Sequence, residues 1–386
     1  MAKICFDALT NRLGPEATEF SGQIVLIITP TFTTGFDTNF GANAAAARAS
    51  WTAAAQVFMA HFSDNIHINI TVDALPGTTI FGKSFPGFTS ISYADLFDKV
   101  SGNATTPDDL IATGPGGSMT AADPTNGAGT WWLTRAQAKA LGVIADDMSD
   151  DGGTTFGAGN KFTFSGPIAG GTFDFQGIAA HEISEVMGRL GLSGETFNGT
   201  KNSFSLIDNF SYTAPGTKGL SGGPGNNFSI DNGITLLKLW NDPTANGGDS
   251  RDWAAGTNDA FNQVSFSDVT NPVSTVDLRL MDVIGYGSTP IGSLLETIGR
   301  IRFLRAHDVG TGFGKPPDFL DCEVIVLLAE EPFRSFGFKL RADSNEPART
   351  EMFNLLRSAF VAGRPVRLDY IKTGPRVGEI IRVANG

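Results

Sequence analysis

Cysteine, histidine and charged side chains are all scarce in this chain of 386 residues. It has two cysteines, Cys5 and Cys322, and four histidines. Because the two cysteines fall in different candidate domains, no disulfide framework is expected, and no cysteine spacing suits a metal site. Charged residues make up 18% of the chain and hydrophobic residues 41%, which is typical of a globular protein and excludes a disordered one.

Long apolar runs are also missing. No stretch of 18 or more apolar residues is present, so the sequence predicts no transmembrane helix. Residues 1–20 are predicted to form a tail, and no signal peptide is visible there because Asp7, Arg12 and Glu16 interrupt any apolar run. The 47 glycines, together with frequent Asn, Thr and Ser, predict many turns and short strands, as in extracellular proteins. We therefore expect a secreted or extracellular protein.

Negative charge is concentrated in the first three quarters of the chain. Residues 291–386 contain 14 basic and 12 acidic residues, whereas residues 1–290 contain 14 basic and 28 acidic ones. This asymmetry predicts a domain boundary near residue 290. An acidic larger part also argues against nucleic acid as a partner, because phosphate binding needs a basic surface.

The hydrophobic pattern predicts both helices and strands. Residues 41–62 have helical spacing of large apolar residues, and apolar and polar residues alternate over 66–72 as in a half-buried strand. A helix is predicted from Asp174 to Leu190, ended by Gly191. Residues 191–275 are rich in turn-forming residues and predict loops and short strands. The last 90 or so residues read as three strands, a helix and two strands, which resembles a small OB-like barrel.

The segment His181–Arg189, with the sequence HEISEVMGR, carries the clearest chemical signal. Residues four apart on a helix lie on the same face, so His181 and Glu185 can converge on one ion. Glu182 is rotated from them by about 100° and can reach a water on that ion. In zinc hydrolases three protein ligands hold the metal, and a neighbouring carboxylate takes a proton from the bound water. His181 as ligand and Glu182 as general base fit this scheme.

This helix resembles the active-site helix of metzincin-type metalloproteases. Gly188 matches the metzincin turn glycine, and the segment around Met281 resembles the turn that places a methionine under the metal. The resemblance covers roughly residues 21–287 and is nearest to bacterial metzincin-like proteins with a His-Glu-x-x-Glu-x-x-Gly-Arg helix. It implies a metzincin-like zincin domain over 21–290, with a mixed sheet and long helices. With the small OB-like β-barrel domain and its one helix that the pattern predicts over 291–386, the whole chain is expected to be an α+β protein.

The ligand set departs from that family. Glu185 stands where metzincins have their second histidine, and Gly191 stands where they have the third ligand. Of the other histidines, His67 lies on the polar face of a predicted strand, His61 lies elsewhere in the first domain, and His307 lies in the second domain. A site with three histidines is therefore not expected. Asp208 is the preferred third ligand. Its rivals are Asp231 and Asp252.

Zinc is the first expectation for the cofactor of this site. A set of one histidine and two carboxylates is harder than ordinary zinc ligation, which leaves manganese and calcium open. Asn241-Asp242 and Gly247-Gly248-Asp249 could also support a structural calcium, although no spacing matches an EF-hand.

Two functions follow, and they differ in the partner of Glu185. The first is a metal-dependent peptidase of metzincin type that acts on a protein or peptide, with His181, Glu185 and Asp208 on the ion and Glu182 as base. In the second, Glu185 pairs with Arg189 at the favourable i, i+4 spacing. The chain would then be an inactive metzincin-like scaffold that binds or assembles, as a homo-oligomer, through its barrel at 291–386.

Overall fold

Separate hydrophobic cores lie on the two sides of the predicted domain boundary. The computed structural model describes residues 26–287, 293–315, 319–331, 334–374 and 377–386. The predicted tail at 1–20 and the predicted boundary near 290 lie outside these ranges. The larger core draws on residues 26–286, and a smaller one lies within the barrel.

Helices and strands alternate in the first part, and strands dominate the second. The helices are α1 (Thr34–Phe40), α2 (Ala44–His61), α3 (Tyr93–Asn103), α4 (Pro107–Thr113), α5 (Arg135–Ala140), α6 (Phe175–Val186), α7 (Pro243–Asn246), α8 (Thr275–Val283) and α9 (Glu346–Ala362), with short 3₁₀ turns at Gly41–Asn43 and Leu206–Phe210. The strands are β1 (Ile27–Phe32), β2 (His67–Leu75), β3 (Gly82–Pro86), β4 (Phe88–Ile91), β5 (Thr130–Thr134), β6 (Gly152–Gly157), β7 (Phe162–Thr163), β8 (Phe173–Asp174), β9 (Glu195–Phe197), β10 (Thr200–Ser205), β11 (Ser211–Ala214), β12 (Thr217–Lys218), β13 (Asn227–Phe228), β14 (Lys238–Leu239), β15 (Leu294–Ala306), β16 (Val324–Leu328), β17 (Ser335–Phe338), β18 (Pro365–Gly374) and β19 (Val377–Asn385).

A mixed four-stranded sheet carries the first core, in the order β1-β2-β6-β3. Strands β1, β2 and β6 are parallel, and β3 runs antiparallel to β6 at the edge of the sheet. The predicted alternation in β2 is confirmed, because its apolar residues Ile68, Ile70 and Val72 are buried while the residues between them are half-buried. Helices α2 and α6 pack together, and α6 also packs against β3 and β6. The sheet edge therefore lies beside the helix that carries the candidate motif.

The helix that carries the motif is shorter than predicted. Helix α6 begins at Phe175 and ends at Val186, four residues before the predicted end. Gly188 ends it instead of Gly191: it has a φ of +113°, and a side chain there would contact Gln137. Asp174 does not cap the helix with its side chain, because its carboxylate accepts a hydrogen bond from the backbone N–H of Asn271. The buried residues of α6 are apolar or glycine, with three polar exceptions: Glu182, Ser184 and Glu185.

The segment from 191 to 275 has the predicted loops and short strands, yet it contributes to the main core. Strands β11 to β14 form a small sheet in the order β12-β11-β13-β14. The rings of Trp240 and Trp253 stack with centroids 4.2 Å apart, and both side chains are buried. Trp253 Nε1 donates a hydrogen bond of 2.6 Å to Asp277 on α8. These contacts fix the loop that follows β14 against helix α8.

Residues 294–385 form a closed five-stranded barrel with one helix, as predicted. The strand order is β15-β16-β17-β19-β18, and α9 lies between β17 and β18 in the chain. Pro347 stands in the first turn of α9, and Gly363 ends the helix with a φ of +62°. The whole is thus an α+β protein with several sheets and a barrel. Within the described ranges, no helix has the length and apolar character needed to cross a membrane.

Candidate metal centre

His181 and Glu185 lie one turn apart on α6 and face the same cleft. The Nε2 atom of His181 is 3.4 Å from Glu185 Oε1 and 3.5 Å from Asp252 Oδ1. These three ligand atoms lie within 4.8 Å of one another, so the group could hold a metal ion. Two donors that each bind a tetrahedral ion at about 2.1 Å are separated by about 3.4 Å. The donor spacing therefore fits a small divalent cation.

The backbone fixes which nitrogen of His181 faces the carboxylates. His181 Nδ1 lies 2.9 Å from the carbonyl oxygen of Ala260, which can only accept a hydrogen bond, so Nδ1 carries the proton. Nε2 is thereby left for an ion, the arrangement that orients most metal-binding histidines. Burial and Arg189 would lower the pKa of His181, but Asp252 and Glu185 outweigh them and raise it to about 9. Without a metal, Nε2 therefore also holds a proton at neutral pH.

Glu185 is ionised and held on both of its oxygens. Its Oε2 atom accepts a hydrogen bond of 2.7 Å from Ser84 Oγ on the edge strand β3. Burial would raise the pKa of Glu185, but the hydrogen bond and charge of His181, helped by Arg189, lower it to about 2. The carboxylate is 96% buried yet needs no proton at any ordinary pH.

Arg189 is buried behind the same carboxylates. Its Nη1 atom lies 2.6 Å from Asp252 Oδ1, and its Nη2 atom lies 3.4 Å from Glu185 Oε1. Its Nε donates to Ser184 Oγ at 2.7 Å, and the guanidinium lies 4.5 Å from the ring centre of Phe261. The predicted Glu185–Arg189 pair is therefore present, but the shorter and stronger contact of Arg189 is with Asp252.

Glu182 lines the cleft next to the ligand group. Its side chain is 6% exposed, and no hydrogen bond joins it to another described residue. Burial, followed by the charge of Glu185, raises its pKa well above the ordinary value. Gly82 on β3 makes room for it, because a Cβ there would overlap the Glu182 carboxylate. A buried carboxyl group that faces a cleft and has a raised pKa is suited to acid and base chemistry.

Asp208, predicted as the third ligand, is not part of the group. It is fully buried and accepts hydrogen bonds from the backbone N–H groups of Leu192, Ser193 and Ser205. Its Oδ1 atom also pairs with Arg251 Nε at 2.8 Å. These contacts occupy both oxygens, so Asp208 holds a turn together. Its predicted rival Asp252 takes the third position instead.

The other acidic residues considered from the sequence serve turns or the mouth of the cleft. Asp231 accepts hydrogen bonds from Ser229 Oγ and from the backbone N–H of Thr235, and Asp242 caps α7. Of the side chains suggested for a structural calcium, those of Asn241 and Asp242 are thus used within turns. Asp249 reaches solvent at the cleft mouth, yet the surrounding protein and the charges of Glu185 and Asp252 raise its pKa to about 6.

Two further predicted features lie away from the ligands. Met281 is fully buried in the main core on α8 and is not among the residues that line the cleft. Gly191 packs against Arg251, whose side chain a Cβ at that position would overlap. No side chain can therefore replace the absent third metzincin ligand at 191.

An open cleft of about 700 Å³ runs along the ligand group. One wall is the edge strand β3, the floor is α6, and the other wall is formed by residues 247–252 and 262–265. Because side chains alternate along a strand, Gly82 and Ser84 face the ligands, whereas Lys83 lies over the ring of Phe85.

Sequence patterns did not indicate several residues of this site. Ser84 and the carbonyl of Ala260 lie 101 and 79 residues from the motif residues that they contact, and neither belongs to a recognisable pattern. Comparison of the chain with protein-family models, with curated proteins and with solved structures finds no match. The fold and site define an α+β protein with a closed barrel and a buried His/Glu/Asp group that could hold a metal.

Proposed function

We propose that the chain is a metal-dependent peptidase whose ion is held by His181, Glu185 and Asp252. The single observation that carries the proposal is the position of His181 Nε2, 3.4 and 3.5 Å from one oxygen of each carboxylate, with Nδ1 tied to a backbone carbonyl. Zinc is our first choice because three protein ligands and tetrahedral spacing suit it. Manganese is the rival for a set with two carboxylates.

Glu182 is the proposed general base and acid. A bound divalent ion at this place would make a water acidic enough to lose a proton near neutral pH. Glu182 faces the cleft, has no other hydrogen-bond partner among the described residues, and is close enough to Glu185 for its pKa to respond to that charge. Its carboxylate would accept the proton of the attacking water and then deliver it to the leaving amine.

The edge strand supports a peptide as the substrate. Strand β3 pairs with β6 on one side only and lines the cleft on the other. The free N–H and C=O groups of such an edge can pair with an extended peptide. An extended backbone on β3 would pass directly over His181 and Glu182. We further propose kinship with metzincins and secretion from a bacterial cell, on the motif and composition described above.

Metal analysis of the freshly purified protein tests the proposal. We expect one transition-metal ion per chain by mass spectrometry, loss of that ion in Glu185→Ala, and full retention in Glu195→Ala, which removes an exposed glutamate on β9. With peptide libraries, the wild type should cleave and Glu182→Gln should keep its ion but lose at least about 100-fold in rate. A wild type without any bound or bindable ion would contradict the proposal.

A second function is favoured by one observation, the Glu185–Arg189 contact. A guanidinium beside both carboxylates, together with a protonated His181, can balance their two negative charges without an ion, as expected of an inactive scaffold. The chain would then bind or assemble through its barrel. Light scattering of the full chain tests this part: a symmetric oligomer supports assembly, and a monomer at micromolar concentration argues against it.

A further inference from the structure

Arg189 contacts the two carboxylate oxygens that face His181, and it also donates to the backbone carbonyls of Arg251 and His181 at 3.3 and 3.5 Å. It reaches Oδ1 of Asp252 and Oε1 of Glu185, the same atoms that lie 3.4 to 3.5 Å from His181 Nε2. A carboxylate oxygen has two lone pairs, so one can meet the guanidinium while the other meets an ion. The contact therefore does not by itself exclude a metal.

The guanidinium is itself held on several sides. Besides the carboxylates, it donates from Nε to Ser184 Oγ and lies over the ring of Phe261, and the residue is 1% exposed. Ser184 Oγ in turn donates to the carbonyl of His181 at 2.6 Å. A planar group fixed in this way can hold Asp252, which comes from a distant loop, at a set distance from α6.

Charge balance gives Arg189 a second effect on the site. Glu185 and Asp252 are 4% exposed, and together they bring two negative charges into a largely dry place. Arg189 offsets one of them, so the ligand group with a neutral His181 has a net charge of −1. A set of two histidines and one carboxylate, which binds zinc in many hydrolases, has the same net charge.

We propose that Arg189 is a positioning residue for the metal: its guanidinium holds Asp252 and Glu185 in the ligand geometry and sets the charge of the group. This inference rests on the proposed metal site and adds a role for a residue that binds no metal. Partners that orient metal ligands typically change metal affinity by about 10- to 100-fold when they are removed. Arg189 is expected to fall in that range.

The test measures Zn²⁺ affinity of the metal-free full chain by competition with a chelating dye. Variants are Arg189→Met, which removes charge and hydrogen bonds, and Arg189→Lys, which keeps the charge but cannot contact both carboxylates as a planar fork. Lys139→Met is the matched control, since Lys139 is also wholly buried and paired with an aspartate, Asp151, outside the cleft. The visible spectrum of the Co²⁺ form reports ligand geometry independently of affinity.

We expect Zn²⁺ to bind about 10- to 100-fold more weakly to Arg189→Met, with a smaller loss in Arg189→Lys and an altered Co²⁺ spectrum in both. Lys139→Met should lower the melting temperature and leave affinity and spectrum unchanged. If Arg189→Met does not fold, the loss of affinity and the spectral change in Arg189→Lys decide the question. In the Asp252→Asn background, Arg189→Lys should have a smaller effect than in the wild type.

The outcomes separate this inference from the proposed function. If the wild type binds Zn²⁺ and both Arg189 variants bind it equally well, the positioning role is wrong while the metal site stands. If only the variants bind, or bind more tightly, Arg189 competes with the ion, which also overturns the inference. If no form binds Zn²⁺, Mn²⁺ or Co²⁺, the proposed metal site itself fails.

Discussion

Replacing Glu182 with glutamine should stabilise the metal-free protein while it abolishes the chemistry. The reason lies in the number of charges around the cleft. Glu182, Glu185 and Asp252 are each at least 94% buried, and the nearby cations are Arg189 and protonated His181. Burial and Glu185 raise the pKa of Glu182, so the neutral carboxyl is the form that folding prefers. Glutamine copies that neutral form at every pH.

The size of the effect follows from linkage. A raised pKa means that the folded state binds a proton that the unfolded state releases above its ordinary pKa of 4.5. The stabilisation that this proton gives the folded wild type is fully present below pH 4.5, and it is lost as the pH rises toward the pKa of Glu182 in the folded protein. The free energy of unfolding falls by about 1.4 kcal/mol for each pH unit in that window, so between pH 4.5 and pH 7 Glu182→Gln gains at most about 3.5 kcal/mol over the wild type. That upper limit corresponds to a rise of roughly 5 °C in melting temperature.

Melting of the chelator-treated wild type and Glu182→Gln from pH 4 to 8 provides the assay. The two curves should coincide near pH 4 and diverge as the pH rises, with the variant more stable. Glu195→Gln, at an exposed glutamate, should follow the wild type throughout. Bound Zn²⁺ should reduce the difference, because an ion stabilises the ionised carboxylate. A Glu182→Gln variant that is less stable than wild type at pH 7 would refute the reasoning.

Two other predictions concern the ligand histidine and the residue first expected beside it. Because the pKa of His181 is raised to about 9, metal binding below that pH must displace a proton from Nε2. The Zn²⁺ affinity should therefore rise about tenfold per pH unit from pH 6 to 8, and calorimetry in buffers of different ionisation enthalpy should detect the released proton. A Zn²⁺ affinity that does not change with pH would contradict His181 as a ligand. Asp208→Asn should destabilise the protein by about 3–5 kcal/mol in urea unfolding, because it leaves Arg251 buried without its charged partner. The Zn²⁺ affinity of this variant should equal that of the wild type. A loss of Zn²⁺ affinity without a loss of stability would restore Asp208 as a ligand.

Local periodicity was sufficient to predict the helix and two of the three residues of the His/Glu/Asp group. His181 and Glu185 lie four residues apart and therefore share a helix face, and Glu182 is rotated from them by about 100°, so the relative positions of all three follow from their spacing. The alternating strand β2 and the helix α2 were predictable for the same reason, since their burial repeats with a fixed period. The barrel was predictable as an order of strands and a helix, although its closure depends on pairing between β15 and β18.

The third ligand was not predictable with confidence, because it depends on a long loop. Asp252 is 71 residues from His181 in sequence and lies among turn-forming residues, where an aspartate is ordinarily a turn residue. One sequence pattern argues against Asp208 as a metal ligand. Ser205 and Asp208 are spaced as a capping box, and the structure has both hydrogen bonds of that box. The end of α6 was missed because Gly188, read as a family signature, is also the glycine that ends the helix.

Anomalous diffraction from crystals soaked in Zn²⁺, recorded at the zinc absorption edge, tests the metal site most directly. A single strong peak is predicted within about 2.0–2.2 Å of His181 Nε2, Glu185 Oε1 and Asp252 Oδ1, with Arg189 still in contact with both carboxylates. No peak at that position in a fully soaked crystal, or a peak at Asp208 instead, would contradict the account.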